Sequence, residues 1–299
     1  MMGVRLLIVS WLVTVFAVVN LGTATVFAQD YGDTPYVQTP QVVVDKMLEL
    51  AKVSGKDYLI DLGSGDGRMI ITAAKRYGAH GFGVDLNKSL VTLSNRNAVK
   101  MGVANRAVFY ERDLHDTDLT QADVITTYLL PEVNLMVRPR LLALKPGTRI
   151  VSHDYGMGEW PPDVAIEMDA PGKPVGRDQR SKVLFWIVPT QVAGKWVWQG
   201  AAGSYELQLE QVFQKITGTL SVGGRRVVID KAVLSGEHVS FEVSVDKGDK
   251  GRHEFSGKVI NNAIEGDMRV AGAAQPWNAT RTELRDARLT DLNPGITAR

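Results

Sequence analysis

Asp61-Leu-Gly-Ser-Gly-Asp-Gly-Arg68 is the stretch on which the reading of this chain turns. Before it stands a short apolar run, Tyr58-Leu-Ile. After it comes a segment, Arg68 to Tyr77, that reads as a helix stopped by Gly78. The pattern is a strand ending in an acid, a glycine-rich turn and a helix start. Glycines allow positive φ and let backbone N–H groups come close to a ligand. The helix N-terminus beyond them favours an anionic group.

The details separate this loop from its relatives. A Walker loop needs Gly-Lys-Ser/Thr, and Gly67 is followed here by Arg68-Met69. A dinucleotide fingerprint is spaced G-x-G-x-x-G, and Gly63, Gly65 and Gly67 are spaced G-x-G-x-G. An acid at the end of the first strand serves no pyrophosphate. It does serve a ligand with an α-ammonium group, whose carboxylate would meet the amides of Gly63, Ser64 and Gly65. Asp61 with these glycines therefore points to S-adenosylmethionine (SAM) as cofactor.

Further acids follow at the ends of later strands. Asp85 closes the run Gly81-Phe-Gly-Val-Asp85, about 20 residues past the glycines, where an acid accepts ribose hydroxyls. Asp113 and Leu114 follow the strand Ala107–Glu111. Asp113 is placed to accept the adenine amino group and Leu114 to pack on the ring; a helix cap is the plainer reading of Asp113. The fourth strand leads into Thr127-Tyr128-Leu-Leu-Pro131-Glu132, at the sheet edge where ligands sit in such folds. Methyl transfer needs an aligned nucleophile and little water, and a lysine nucleophile must also lose a proton. Tyr128 and Glu132 are the catalytic candidates, with His153 and Asp154 at the same edge. His153-Asp154 has no metal-binding spacing with another His, so no metal is expected.

Strands and helices alternate from Tyr58 to Val188, which implies an α/β, doubly wound, mainly parallel sheet of seven strands. Ahead of it, Thr39 reads as an N-cap and Pro40 as the first turn of a helix over Gln41–Val53. After Pro189 helical periodicity stops. Short alternating runs from Lys195 to Met268 predict a small all-β meander or barrel of about 6–8 strands. Trp196, Trp198 and Trp277 read as its core rather than as a binding surface. The domains are then 35–189 and 195–284, with a tail at 285–299.

The chain has 299 residues, a formal net charge of +1 and no Cys, so disulfides, thiolate zinc sites and Cys nucleophiles are excluded. No clustered basic footprint indicates a nucleic-acid partner. One positive charge, Arg5, precedes an uncharged run from Leu6 to Ala28 that ends in Val26-Phe-Ala28. Residues 1–28 read as a cleaved signal peptide or an uncleaved membrane anchor. Either places the rest of the chain on the extracytoplasmic side. This conflicts with the cytoplasmic supply of SAM.

Four elements together resemble a known family: Tyr36-Val-Gln-Thr-Pro40, Asp61–Arg68, Tyr128-Leu-Leu-Pro131 and Leu144-Lys-Pro-Gly-Thr-Arg-Ile-Val-Ser-His153. They resemble the seven-β-strand SAM methyltransferases, and among them the protein-lysine methyltransferases of the mitochondrial ATP synthase c-subunit and adenine nucleotide translocase. The resemblance spans Pro35 to about Val188. It implies a Rossmann-like fold, a protein as methyl acceptor, and Thr39 over the methionine end of SAM. It does not extend to the β region, which leaves two other readings of the chain. One is a small-molecule methyltransferase on the same fold; the other is a catalytically silent exported scaffold. Oligomeric state is not legible.

Overall fold

A computed structural model describes residues 36–176, 178–200, 203–245, 251–270, 272–285 and 287. The leader read at residues 1–28 lies outside the described residues. Among the described residues, no helix is long and apolar enough to cross a membrane.

The first sheet is built on β1 (Tyr58–Leu62), whose Leu59, Ile60 and Leu62 are buried alternately on its two faces. Parallel to it run β2 (His80–Asp85), β3 (Ala107–Glu111), β4 (Val124–Thr127) and β5 (Arg149–His153). β6 (Val164–Asp169) and β7 (Arg180–Ile187) complete the order β3-β2-β1-β4-β5-β7-β6. Only β7 runs antiparallel to its neighbours. Seven strands, mainly parallel, are what the alternating sequence requires.

One face of this sheet packs on α1 (Gln41–Leu50), α2 (Arg68–Thr72) and α3 (Lys88–Lys100). α1 contributes Val43, Val44, Met47 and Leu48 to the core. Thr39 does not cap it with its side chain, contrary to expectation; Pro40 holds the N-cap position and the Thr39 hydroxyl is engaged elsewhere. α2 continues into a π-turn, Ala73–Tyr77, and stops at Gly78 with φ 74°. α3 is capped by the Asn87 side chain, which accepts from the amides of Ser89 and Leu90.

The opposite face has less cover. α4 (Pro131–Leu142) lies there, but β3 and β4 are joined through only a short 3-10 turn and β5 and β6 through no helix. Trp160 and Trp186 fill the space, joined by Phe213 from the second sheet. The Phe213 and Trp160 rings stack with centroids 6.2 Å apart and 16° between planes. Gln214 beside it accepts from Trp160 Nε1 at 3.0 Å and donates to the Pro161 carbonyl at 2.7 Å.

The second sheet has nine antiparallel strands. They are β8 (Gly194–Gly200), β9 (Gly203–Val212), β10 (Lys215–Val222), β11 (Arg225–Val228), β12 (Asp230–Ser235), β13 (His238–Ser244), β14 (Arg252–Ile260), β15 (Ala263–Val270) and β16 (Ala273–Leu284). Their order is β11-β10-β9-β8-β16-β15-β14-β13-β12. β11 and β12 stand at opposite ends of that order yet only Ile229 separates them in the chain. The sheet must therefore curl until its ends nearly meet, and the Ile229 amide donates to the Gly218 carbonyl of β10 at 3.1 Å. Inside the curl lie Trp196, Trp198, Tyr205, Phe241, Phe255 and Trp277, all buried. The tryptophans are core, as the sequence indicates.

Nine strands exceed the expected 6–8. β12 and β16 are the two that alternation does not reveal. β16 carries Pro276, a residue that ordinarily argues against a strand. It is tolerated because residues 273–279 pair only with β15, and pairing with β8 begins at Thr280.

Candidate active site

The carboxyl ends of β1, β2, β4 and β5 gather the residues picked out in the sequence. Asp61 is buried, and the Thr126 hydroxyl on neighbouring β4 donates to its Oδ1 at 2.6 Å. That single bond does not offset burial, and the charges of Asp85 and Asp66 add to the effect. The carboxyl is pushed up to about 7. Among the described residues no cation pairs with it. A ligand ammonium at this point would supply the missing charge.

Gly63, Gly65 and Gly67 all adopt positive φ, at 77°, 53° and 82°. The loop is also crowded. A Cβ on Gly65 would lie 2.3 Å from the Tyr36 ring, and one on Gly63 would lie 2.9 Å from Leu129. The amides of Gly63 and Ser64 bond to the Val84 carbonyl, fastening the loop to β2. Ser64 Oγ is buried without a hydrogen-bond partner among the described residues, as is Thr127 Oγ1. Such orphaned groups are costly unless a ligand or water serves them.

Asp85 accepts from the Gly65 amide at 2.9 Å and from the Asn87 amide at 2.8 Å. A carboxylate has about four acceptor sites, so two remain for ribose hydroxyls. Asp113 caps the 3-10 turn Leu114–Asp116, the plainer of its two sequence readings. Its Oδ1 accepts from the His115 amide and contacts the His115 ring, each at 2.8 Å. Burial, which would raise its carboxyl, is outweighed by these bonds, and it lies below the ordinary carboxylate range. Leu114 is half-buried beside it.

The Tyr36–Pro40 segment is tied to the glycine loop by Arg68. Its guanidinium grips the Asp66 carboxylate at 2.6 Å and donates to the Thr39 carbonyl at 2.6 Å. Thr39 itself is buried, with its hydroxyl 3.2 Å from His153 Nδ1. His153 Nε2 lies 2.9 Å from the Ser181 hydroxyl. Burial, reinforced by Lys173 and opposed by Asp154, lowers the His153 imidazole to about 4. It is neutral at physiological pH with both nitrogens engaged, so it positions its neighbours.

The Tyr128 ring lies 4.0 Å from the His153 ring, centroid to centroid. Its hydroxyl is 3.4 Å from Asp154 Oδ2. Burial, then the Asp154 charge, raises the Tyr128 phenol well above its ordinary value, so it stays protonated. Glu132 sits exposed in the first turn of α4, and no hydrogen bond or ion pair found among the described residues joins it to Tyr128 or His153. Thr126, Tyr155, Lys173 and Ser181 also belong to this edge, and sequence reasoning misses them. Thr126 and Ser181 carry no local signal. Lys173 lies in a Pro/Gly-rich stretch that reads as a spacer.

The residues present fit SAM: an uncompensated buried acid, a cradle that no Cβ could enter, and a second acid beside it with acceptor sites to spare. Residues 61–164 match the family described as ANTKMT methyltransferase domain. A protein-lysine N-methyltransferase of Saccharolobus islandicus is 44% identical over 137 residues, 45% of this chain and 85% of that protein. The adenine nucleotide translocase lysine N-methyltransferase of Mus musculus is 31% identical over 134 residues, 44% of this chain; the match spans only 58% of the mouse protein. A solved structure described as an RNA methyltransferase from Salinibacter ruber with S-adenosyl-L-homocysteine is 44% identical. It covers 52% of this chain and 96% of that one, with a TM-score of 0.47. The chain belongs to the SAM-dependent methyltransferases, in the family of the ANTKMT methyltransferase domain.

Proposed function

We propose that the chain methylates the side-chain amine of a protein lysine. The observation that carries this reading is the match to 85% of the Saccharolobus protein-lysine N-methyltransferase at 44% identity. Bound SAM supplies a methyl group already activated on sulfonium. The chain's own residues then hold the cofactor and receive the acceptor. Asp61 and the Ser64 hydroxyl, which has no partner among the described residues, hold the amino-acid end, with Thr39 above it. Gly63 and Gly65 shape the loop around it, since the amides of Gly63, Ser64 and Gly65, expected from sequence to meet the ligand carboxylate, are spent on the Val84 carbonyl and Asp85. Asp85 takes the ribose, and Asp113 with Leu114 takes the adenine. Tyr128, protonated, walls the acceptor side as a hydrogen-bond donor. We assign proton acceptance from the incoming ammonium to Glu132, exposed in the first turn of α4, four residues after Tyr128.

The test is incubation of the full chain with methyl-labelled SAM and a cell-envelope extract. Label recovered as methyl-lysine after protein hydrolysis is the expected result. Label confined to RNA or to small molecules would sink the lysine reading. Glu132→Gln should lower the rate and steepen its rise with pH; an unchanged profile removes Glu132 from catalysis.

We further propose that residues 1–28 export or anchor the chain, and that 35–189 and 195–284 are its two domains. The conflict with cytoplasmic SAM makes topology the first thing to measure. A reporter fused after Arg299 should be active outside the cytoplasm; activity only inside would overturn the export reading.

A further inference from the structure

Lys173 lies on the loop between β6 and β7. Because β6 and β5 both run antiparallel to β7, this loop emerges at the same sheet edge as Tyr128 and His153. The Lys173 ammonium is 2.8 Å from Asp154 Oδ2, and its side chain is only 9% exposed. The same oxygen is 3.4 Å from the Tyr128 hydroxyl. The Tyr128 and Tyr155 rings stack beside it at 6.2 Å and 18°. A carboxylate that meets an ammonium at 2.8 Å beside a tyrosine hydroxyl is a seat for an alkylammonium group.

Two observations argue that this seat does not exist merely to hold Lys173. First, Asp154 is placed without it. Its Oδ1 accepts from the Lys182 amide at 2.9 Å, and its own amide donates to the Lys182 carbonyl at 2.8 Å. Its backbone is held at φ 62°, a strained angle for a non-glycine residue. Second, the loop that carries Lys173 is closed by its own bonds, the Ala170 amide on the Gln179 carbonyl at 2.6 Å and the Lys173 amide on the Ala170 carbonyl at 3.1 Å, so its shape does not depend on the ion pair. Gly172 and Gly176 both hold positive φ, and a Cβ on Gly172 would meet nothing within 4 Å. Besides Asp154, Lys173 Nζ is held by the Arg180 carbonyl at 2.5 Å, and the Gln179 side chain spans the loop's own backbone.

We propose that Asp154, with Tyr128 and Tyr155, is the recognition site for the ammonium group of the acceptor, and that Lys173 occupies it until an acceptor lysine displaces it. The inference rests on the lysine reading above. It makes Lys173 an internal competitor and Asp154 a determinant of specificity for cationic acceptors. It also accounts for a lysine placed at an active-site edge with its charge neutralised by a residue that the fold positions independently.

The test is calorimetric titration of the full chain, saturated with S-adenosylhomocysteine, with Nα-acetyl-lysine amide as probe. Lys173→Met removes the competing charge and should bind the probe roughly tenfold more tightly than wild type, as for a seat open in about a tenth of molecules. Lys173→Arg keeps a cation on Asp154 and should bind no better than wild type. Adding Asp154→Asn to Lys173→Met should erase the gain. Equal binding by Lys173→Met and wild type, or an equal gain from Lys173→Arg, would overturn the inference. A gain in probe binding without methyl-lysine in the extract assay keeps the seat and removes lysine transfer. Methyl-lysine without the gain removes the seat alone.

Discussion

The antiparallel sheet closes its own core, whereas the parallel sheet leaves one face to be finished by another element. Inside the curl of β8–β16, Trp198, Tyr205, Phe241, Phe255 and Trp277 pack on one another, with ring centroids between 4.7 and 6.4 Å. On the α4 face of the parallel sheet, Trp160 and Trp186 meet Phe213, which belongs to the other sheet. Charges pair on both sheets, with one exception among the described buried acids. On the antiparallel sheet Glu242 pairs with Lys231 and Arg252, and Lys258 with Glu237. At the edge of the parallel sheet Asp61 is buried with a single hydroxyl donor. The incomplete sheet carries the chemistry, since groups left unsatisfied by folding are those a ligand can satisfy.

The largest expected effect tests the borrowed aromatic. Phe213→Ala should cost about 3–5 kcal/mol, the usual range for a buried Phe truncated to Ala. Calorimetry should show the parallel sheet melting earlier while the antiparallel sheet keeps its own transition. A thermogram unchanged from wild type would mean that the parallel sheet is complete without Phe213, and the comparison fails.

Next comes one substitution made in both sheets. Gly65→Ala forces a Cβ to 2.3 Å from the Tyr36 ring at φ 53°. It should weaken SAM binding about a hundredfold, near 2.7 kcal/mol. Gly223→Ala meets a similar angle, φ 56°, in open space at the β10–β11 turn. It should cost only about 1–2 kcal/mol of stability, the strain of a left-handed residue, and leave SAM affinity unchanged. Titration calorimetry on the two variants separates cradle from turn. Similar SAM affinities would show that the loop tolerates a side chain where a ligand is meant to lie.

The third test reads Asp61 through pH. Burial, with Asp85 and Asp66, raises this carboxyl to about 7. A bound ammonium favours the ionised form, so below that value binding must displace a proton. SAM affinity should be flat above about pH 7 and fall roughly tenfold per unit below it. Stability of the empty protein has the opposite sign. The contribution of neutral Asp61 is fully present below its ordinary value and is lost as pH rises through about 7. Asp61→Asn should flatten both profiles. A wild-type affinity independent of pH from 5 to 8 would mean that Asp61 does not face the ammonium.

How much of this is legible in the sequence follows from the range of each interaction. The glycine loop, Asp85 and the strand–helix alternation are local patterns, and each stands where its spacing indicates. Thr39 is visible as a residue, but its partner His153 is 114 positions away, so local reading assigns its hydroxyl to a helix cap it does not make. Thr126 serves Asp61 across 65 positions and Ser181 serves His153 across 28. Neither choice of partner leaves a trace in nearby sequence. Pro276 is admitted to β16 because that stretch pairs on one side only. Phe213 falls between two alternating runs, and nothing local tells which core a hairpin tip will enter.

The smallest effect sharpens the comparison from the closed side. The antiparallel core also holds polar atoms without partners among the described residues: the Tyr205 hydroxyl and the indole nitrogens of Trp198 and Trp277. If unsatisfied groups always marked a ligand site, this core would be one as well. The geometry argues otherwise. Tyr205 stacks on Trp198 at 5.0 Å and 11°; Phe255 lies against both rings, Trp277 against Trp198 and His253 against Tyr205. These rings are there for their area, and the polar atoms come with them. Tyr205→Phe should therefore leave stability within about 1 kcal/mol of wild type or raise it slightly, since a buried hydroxyl with no partner costs its desolvation. Thr126→Val, by contrast, removes a donor from a charged acceptor and should weaken SAM binding by about 1.5–3 kcal/mol. A loss above about 2 kcal/mol in Tyr205→Phe would mean that its hydroxyl has a partner, and the closed sheet would then have a polar interior of its own to explain.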